Sequence, residues 1–206
     1  ILQHYSPTQP VYLLGHSLGA NVAGIYAGVR AGRIRKLINL EGFGMPVTRP
    51  EDAPARFTAW LDELQGMPTL RSYATQAEVA ARLQKNNPRL SDERAAFLSA
   101  YWAALNESGA WEIQADPAHR LSNPYLYRVD EVLACWKMIT APVLWVEARQ
   151  SELLARMGSS TNARAEIDRR IASIPNATIL MVDEAGHMLQ HDQPEILAAA
   201  IDQFLD

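Results

Sequence analysis

The sequence predicts an α/β fold in which a mostly parallel sheet carries an inserted helical segment. Residues 11–14 and 34–40 are short, nearly continuous apolar runs, which are typical of strands that are buried on both faces. A helix-like stretch at 17–30 separates them, and the alternation of strand and helix resumes after residue 140. In between, apolar residues recur with helical spacing. Strands joined by helices, with a purely helical interruption, favour this fold class.

The same pattern predicts the domain organisation. Residues 1–45 and 140–206 are expected to form the core, and residues 46–139 a helical insertion. Within the core we expect two further strands, at 142–146 and 178–182. A polar helix that continues to Ile174 is expected between them, and a closing helix is expected at 194–205. Within the insertion, helices are expected at 52–65, 76–85, 91–107 and 124–139.

Composition excludes several classes of protein. The chain has 206 residues, of which 48% are hydrophobic, and a formal net charge of −4, so we expect a globular domain without a basic face for nucleic acid. No apolar run reaches membrane-spanning length and no N-terminal signal is visible, so a cytoplasmic protein without a membrane partner is expected. Cys135 is the single cysteine, and no His/Cys cluster has metal-ligand spacing. We therefore expect no metal or organic cofactor.

The pentapeptide Gly-His-Ser-Leu-Gly at residues 15–19 follows the first apolar run and precedes the first helix. This context is typical of a nucleophile elbow, in which a sharp turn exposes the central Ser17 above the sheet. Glycine on both sides is expected to avoid clashes in the strained turn. Because Ser17 stands at a helix N-terminus, free N–H groups and the helix dipole favour negative charge beside it.

A serine hydroxyl is a weak nucleophile and needs a base, for which His187 is the strongest candidate. It lies in the loop between the last strand and the last helix, where a core-filling histidine is not expected. The remaining histidines fit this role less well: His4 and His119 near turns, His16 at the variable elbow position and expected to point away from the nucleophile, and His191 at an exposed helix start.

The elbow motif, followed near the end of the chain by Gly-His-Met at 186–188 and Pro-Glu at 194–195, resembles the capped, serine-nucleophile branch of the α/β-hydrolase family. The resemblance implies a partial α/β-hydrolase fold with residues 46–139 as its cap or lid. It also implies that Ser17 is the nucleophile, that His187 is the general base, and that the backbone N–H of Leu18 is half of an oxyanion hole.

Two carboxylates compete for the acid of the triad. Most of the family carries an acid after the strand that follows the cap, where this chain has Ser151 and then Glu152. Some capped members, which resemble haloalkane dehalogenases, carry a glutamate at the end of the strand before the cap, where this chain has Glu41. Glu152 is the expected acid and Glu41 the alternative; Glu147 falls inside a strand and is the weakest candidate.

The expected function is that of a serine hydrolase, which cleaves an ester or related acyl bond of a small, apolar substrate through an acyl-enzyme. His16, Trp60 and Trp102 are the candidate substrate-binding residues. The alternative is a non-catalytic ligand-binding or interaction module on an incomplete α/β-hydrolase fold. The family has further strands before the nucleophile strand, so we expect either a missing N-terminal segment or self-association along the exposed first strand.

Overall fold

The computed structural model describes residues 1–66, 68–157 and 160–206, which form two compact units. The first unit comprises Ile1–Val47 and Tyr127–Asp206, and the second comprises Thr48–Leu126. The insertion expected at 46–139 extends further along the chain than the second unit, because the helix that follows residue 127 packs in the first unit.

The strands, in chain order, are β1 Val11–His16, β2 Ile34–Leu40, β3 Ser72–Tyr73, β4 Ala103–Leu105, β5 Trp111–Ile113, β6 Val143–Ala148 and β7 Ala177–Val182. The helices are α1 Leu2–Tyr5, α2 Leu18–Val29, α3 Ala53–Gln65, α4 Gln76–Asn86, α5 Asp92–Trp102, α6 Val129–Trp136, α7 Leu153–Arg156, α8 Ser160–Ile171, α9 Leu189–Asp192 and α10 Pro194–Leu205. Short 3₁₀ turns lie at Ala31–Arg33, Pro50–Asp52 and Pro117–Arg120.

A parallel sheet with the strand order β1-β2-β6-β7 forms the centre of the first unit. The register pairs His16 with Leu40 and Leu40 with Val146, so the carboxyl ends of β1, β2 and β6 meet at one edge. Residues that directly follow these strands are therefore neighbours, although they are far apart in sequence. The mostly parallel α/β fold class predicted from the sequence is confirmed.

Helices cover both faces of this sheet, as a sheet with two apolar faces requires. On one face, buried residues of α2, α6 and α8 pack with Trp145 of β6, and the rings of Trp136 and Trp145 lie 5.6 Å apart. On the other face, Leu189 and Leu197 of α9 and α10 pack with β2, β6 and β7. The small residues of α2 allow close contact with α6, because a Cβ at Gly28 would lie 1.9 Å from the carbonyl oxygen of Cys135.

The second unit combines α3, α4 and α5 with a three-stranded antiparallel sheet of order β3-β5-β4. The helix expected at 91–107 ends at Trp102, and β4 begins at the next residue. A turn causes this change: Gly109 has φ of 77°, and the N–H of Asn106 donates to the carbonyl of Ala110. These strands are two or three residues long, too short to produce a pattern of period two.

Two further expected helices are shorter than the sequence suggests. The segment 124–139 is helical only as α6, which begins at Val129 and contacts α2. The polar helix expected to continue to Ile174 is described as α7 and α8; residues 158 and 159 between them lie outside the described residues.

Strand β1 lies at one end of the sheet order, and Tyr12 and Leu14 on it are each almost half exposed. Leu18 and Val22 on the neighbouring helix α2 are exposed as well. In the described part of the chain, no helix is both long and apolar enough to cross a membrane.

Candidate active site

Ser17 occupies the turn between β1 and α2 in a strained conformation, with φ of 53° and ψ of −118°. Its N–H donates to the carbonyl of Leu40 at 2.8 Å, which ties the turn to the end of β2. A Cβ at Gly15 would lie 2.5 Å from the carbonyl oxygen of Gly19 and 2.6 Å from the Cα of Ala20, so only glycine fits there. A Cβ at Gly19 would meet no atom within 4 Å. The clash expected at both glycines therefore exists at Gly15 alone.

The hydroxyl of Ser17 lies 2.9 Å from Nε2 of His187. Two hydrogen bonds hold the loop that carries this histidine: Gly186 N–H donates to the carboxylate Oδ2 of Asp192 at 2.8 Å, and Gln150 N–H donates to the carbonyl of Ala185 at 2.9 Å. The histidine side chain remains about a quarter exposed. The structure thus brings together the two residues that the sequence singled out first.

Glu41 follows β2 directly, in a left-handed conformation with φ of 56°, and its side chain is fully buried. Its Oε1 accepts the N–H of Ala148 at 2.7 Å, and its Oε2 accepts a hydrogen bond from the hydroxyl of Ser151. The same Oε2 lies 3.4 Å from Nδ1 of His187. If Nε2 accepts the proton of Ser17, Nδ1 carries the ring proton and directs it toward this carboxylate.

Glu152, the expected acid, lies at the N-cap of α7 and is exposed. Its Oε2 accepts the backbone N–H of His187 at 3.4 Å, so this contact anchors the backbone of the loop. Glu147 is buried and forms an ion pair with Arg164 at 2.5 Å, and this hydrogen bond raises the pKa of the guanidinium. Among the three candidates, the geometry favours Glu41, because its carboxylate faces the histidine ring.

His16 does not point away from the site, as its elbow position suggested. Its Nε2 lies 2.8 Å from the carbonyl oxygen of His187, and the two rings are 4.7 Å apart and tilted by 35°. A carbonyl only accepts, so Nε2 of His16 carries a proton. Burial lowers the pKa of His16, which keeps the ring neutral. A neutral neighbour avoids repulsion when His187 becomes an imidazolium, so the geometry favours a positioning role over substrate binding.

Other predicted residues lie elsewhere. His191, expected to be exposed, is half-buried in α9, and burial lowers its pKa. Trp60 lies half-buried in α3, and Trp102, 37% exposed, ends α5, so both belong to the second unit. Their role in substrate binding stays a prediction.

A cavity of about 270 Å³ opens beside Ser17. Most of its walls are apolar, and its polar groups come from the residues just described and from one amide of α2. The lining residues are Ser17, Leu18, Asn21, Glu41, Phe43, Gly44, Met45, Pro46, Leu153, Met157 and His187. Over the ranges that the structure describes, no group of three or more His, Cys, Asp or Glu side chains could hold a metal ion.

Sequence reasoning missed two polar residues of the site. Ser151 was seen only as a replacement for the usual acid, although a hydroxyl beside a carboxylate is a natural hydrogen-bond donor. Asn21 gave a weaker signal, as a lone amide among the small and apolar residues of α2. Neither signal identifies a partner without the three-dimensional register.

The family model described as "Alpha/beta hydrolase family" matches residues 2–200 of the chain. The chain belongs to the alpha/beta hydrolase family. The resemblance inferred from the elbow and from the histidine loop is thereby confirmed. In this family member the elbow carries Ser17 and the loop after β7 carries His187. The carboxylate that faces the histidine ring belongs to Glu41, which follows β2.

Similar proteins support this assignment. A serine hydrolase-like protein of Danio rerio is 24% identical over 199 residues, which cover 94% of this chain and 60% of the fish protein. The thioesterase domain of a curacin biosynthetic pathway is 25% identical, with a TM-score of 0.73 and coverage of 94% of this chain and 65% of that domain. A hypothetical protein of Pseudomonas aeruginosa PAO1 has the same fold at 21% identity, with a TM-score of 0.81 and coverage of 99% and 70%. The chain thus spans less than two thirds of the length of the first two.

Proposed function

We propose that this chain carries the catalytic centre of a serine hydrolase that cleaves a small ester or thioester through an acyl-enzyme. The observation that carries the proposal is the 2.9 Å contact between the Ser17 hydroxyl and Nε2 of His187, with the buried Glu41 carboxylate behind the same ring. A nucleophile, a base and a group that orients the base are the three parts that acyl transfer needs.

In the acylation step, Ser17 Oγ attacks the carbonyl carbon of the substrate while its proton passes to Nε2 of His187. The tetrahedral intermediate then collapses, and His187 returns the proton to the departing alcohol or thiol. The Glu41 carboxylate stabilises the imidazolium that exists between these two transfers. In the second half of the cycle a water molecule, deprotonated by His187, attacks the acyl group, and Ser17 leaves as a hydroxyl.

The negative charge that develops on the carbonyl oxygen needs donors, and the start of α2 supplies one. Leu18 is the first residue of this helix, so its N–H has no acceptor within the helix. The residue also lines the cavity beside Ser17. A backbone donor of this kind accelerates acyl transfer by about 10²–10³.

The cavity supports an apolar acyl group of modest size. Leu18, Phe43, Met45, Leu153 and Met157 supply its apolar walls, and its volume of about 270 Å³ lies just below the usual range for small-molecule sites. No lysine or arginine is among the described lining residues, so the cavity offers an anionic substrate no countercharge. The thioesterase domain among the similar structures makes a thioester a substrate to test beside oxygen esters.

Labelling with a fluorophosphonate, followed by intact-mass measurement, tests this proposal. Such a probe forms a covalent adduct only with an activated serine, so we expect one adduct on the wild-type protein and none on Ser17→Ala or His187→Ala. His119→Ala is the matched control, because His119 is exposed and lies in the second unit. A folded wild-type protein without adduct would instead favour a non-catalytic ligand-binding module.

A further inference from the structure

Asn21 is a polar residue of the cavity that the proposed reaction does not use. It lies in α2 one helical turn after Ser17, and its N–H donates to the carbonyl of Ser17 at 3.1 Å. The residue is 7% exposed and lines the cavity. Ser17 lines the same cavity, so the Asn21 side chain shares this space with the proposed nucleophile.

A single contact fixes the orientation of the Asn21 amide. The backbone N–H of Gly44 donates to Oδ1 of Asn21 at 2.9 Å, and an N–H requires an oxygen opposite it. The Nδ2 atom of the amide is therefore the one that does not face the N–H of Gly44. Within residues 1–66, 68–157 and 160–206, no atom accepts a hydrogen bond from this NH₂ group. A ligand oxygen in the cavity that Asn21 lines could therefore accept a hydrogen bond from Nδ2.

The segment that holds Oδ1 is itself held firmly. Gly44 has φ of 82°, which favours glycine, and a Cβ there would lie 2.7 Å from Nη1 of Arg170. The same Nη1 donates to the carbonyls of Phe43 and Met45, each at 2.9 Å, and the Arg170 side chain is buried. The donor at Nδ2 is thus preorganised before any ligand arrives, which lowers the cost of binding.

We propose that Asn21 is a substrate-binding residue whose Nδ2 donates to a neutral oxygen of the substrate close to the scissile carbonyl. This inference rests on the proposed function. The substrate class is an ester or thioester with a second acceptor oxygen (an ether, hydroxyl or carbonyl) within a few atoms of the bond that is cleaved. An anionic group is disfavoured, because the cavity contains the Glu41 carboxylate and no lysine or arginine among its described lining residues.

Pairs of isosteric esters test this proposal. On the acyl side, 4-nitrophenyl methoxyacetate is compared with 4-nitrophenyl butanoate; on the alcohol side, 2-methoxyethyl butanoate is compared with butyl butanoate. For each pair, the ratio of the two kcat/KM values is the measured preference. Because an α-methoxy group also activates the ester carbonyl, the informative quantity is the change of this ratio in Asn21 variants. We expect the ratio to depend on Asn21 in one pair, and that pair identifies the side of the substrate that Asn21 contacts.

Two variants separate the donor from the acceptor of the amide. Asn21→Asp keeps the oxygen that accepts from Gly44 and removes the Nδ2 donor, whereas Asn21→Leu removes both. We expect both variants to lose about tenfold of the oxygen preference, the worth of one neutral hydrogen bond. Leu153→Ala is the matched control, because it enlarges the same cavity and should change both members of a pair equally. An unchanged ratio in both Asn21 variants, or no oxygen preference in the wild type, would overturn the proposal.

Equilibrium binding keeps this test independent of catalysis. Ser17→Ala cannot form the acyl-enzyme, so intact esters serve as its ligands in calorimetry. We expect tighter binding of the oxygenated ester to Ser17→Ala than to Ser17→Ala/Asn21→Asp. If the wild type does not hydrolyse esters but this difference persists, the proposed function fails while the binding role of Asn21 stands. Equal binding by the two proteins would contradict the binding role even in an active enzyme.

Discussion

The hydroxyl of Ser151 donates a hydrogen bond to the Oε2 of Glu41, the same oxygen that faces Nδ1 of His187. Ser151 directly precedes Glu152, which the resemblance made the expected acid. In the triad that we propose, the acid instead follows the neighbouring strand β2, and the serine orients it. Together with the N–H of Ala148, this hydroxyl fixes both oxygens of the buried carboxylate.

Removal of this hydroxyl should slow the reaction without weakening substrate binding. We expect Ser151→Ala to lower kcat about tenfold with KM nearly unchanged, because the carboxylate loses one hydrogen bond but the cavity keeps its walls. Ser151→Thr keeps a hydroxyl and should restore most of kcat. Steady-state kinetics on a chromogenic ester measures both constants. A change confined to KM would argue against the positioning role.

Substitution of Glu41 or of Glu152 by glutamine tests which of the two carboxylates is the acid of the triad. Glu41→Gln should lower kcat/KM by about 10³–10⁴, because an amide cannot stabilise the imidazolium of His187. Glu152→Gln keeps an oxygen that can accept the backbone N–H of His187, so we expect only a few-fold loss. Fluorophosphonate labelling rates provide a second measure. A larger loss in Glu152→Gln than in Glu41→Gln would reverse our assignment.

The sequence predicted the nucleophile and the base of the proposed triad, but it did not decide which carboxylate is the acid. The elbow and the histidine loop are local features, so their spacing identified Ser17 and His187 directly. The contact of Glu41 depends on the pairing of His16 with Leu40 and of Leu40 with Val146, which no local pattern specifies. The short sheet of the second unit was missed for a related reason, because strands of two or three residues leave no periodic signal.

The two glycines of the elbow should differ sharply in their tolerance of alanine. Gly15→Ala places a methyl group against backbone atoms of Gly19 and Ala20, and we expect a loss of about 1–3 kcal/mol in the free energy of unfolding. Gly19→Ala meets open space in the first turn of α2, so it should be neutral or should stabilise by up to about 1 kcal/mol. Urea unfolding of both variants tests the difference. Equal losses would show that both positions are crowded.

Two half-buried histidines should make stability fall in mildly acidic solution. Burial lowers the pKa of His16 and of His191 below the usual histidine value of 6.5. Below pH 6.5 the unfolded chain therefore binds more protons at these sites than the folded chain, and stability falls as the pH falls toward the lowered values. Above pH 6.5 this contribution is fully present. We expect the Tm to drop between pH 7.5 and 5.5.

Variants separate these histidines from other titrating groups. His16→Gln and His191→Gln should each show a smaller drop in Tm over the same pH interval, since glutamine does not titrate. His4→Gln provides the control, because His4 is exposed, and it should retain the wild-type drop. Identical drops in all four proteins would locate the pH dependence elsewhere.

The outer side of β1 should promote association between molecules. Tyr12 and Leu14 are exposed on a strand at one end of the sheet order, and such edges favour pairing with other chains. We expect concentration-dependent self-association in sedimentation velocity, and we expect Leu14→Lys to reduce it. Ile196→Lys, an exposed position on α10, is the control and should have little effect. A monomer at all concentrations would contradict this expectation.

Ser17, Glu41 and His187 all belong to the first unit, and none belongs to Thr48–Leu126. The three residues of the proposed triad therefore follow β1, β2 and β7 of one sheet, while the second unit is inserted in the chain between Glu41 and β6. An exchange of Thr48–Leu126 for the corresponding segment of a relative would therefore leave all three residues of the proposed triad in the chain.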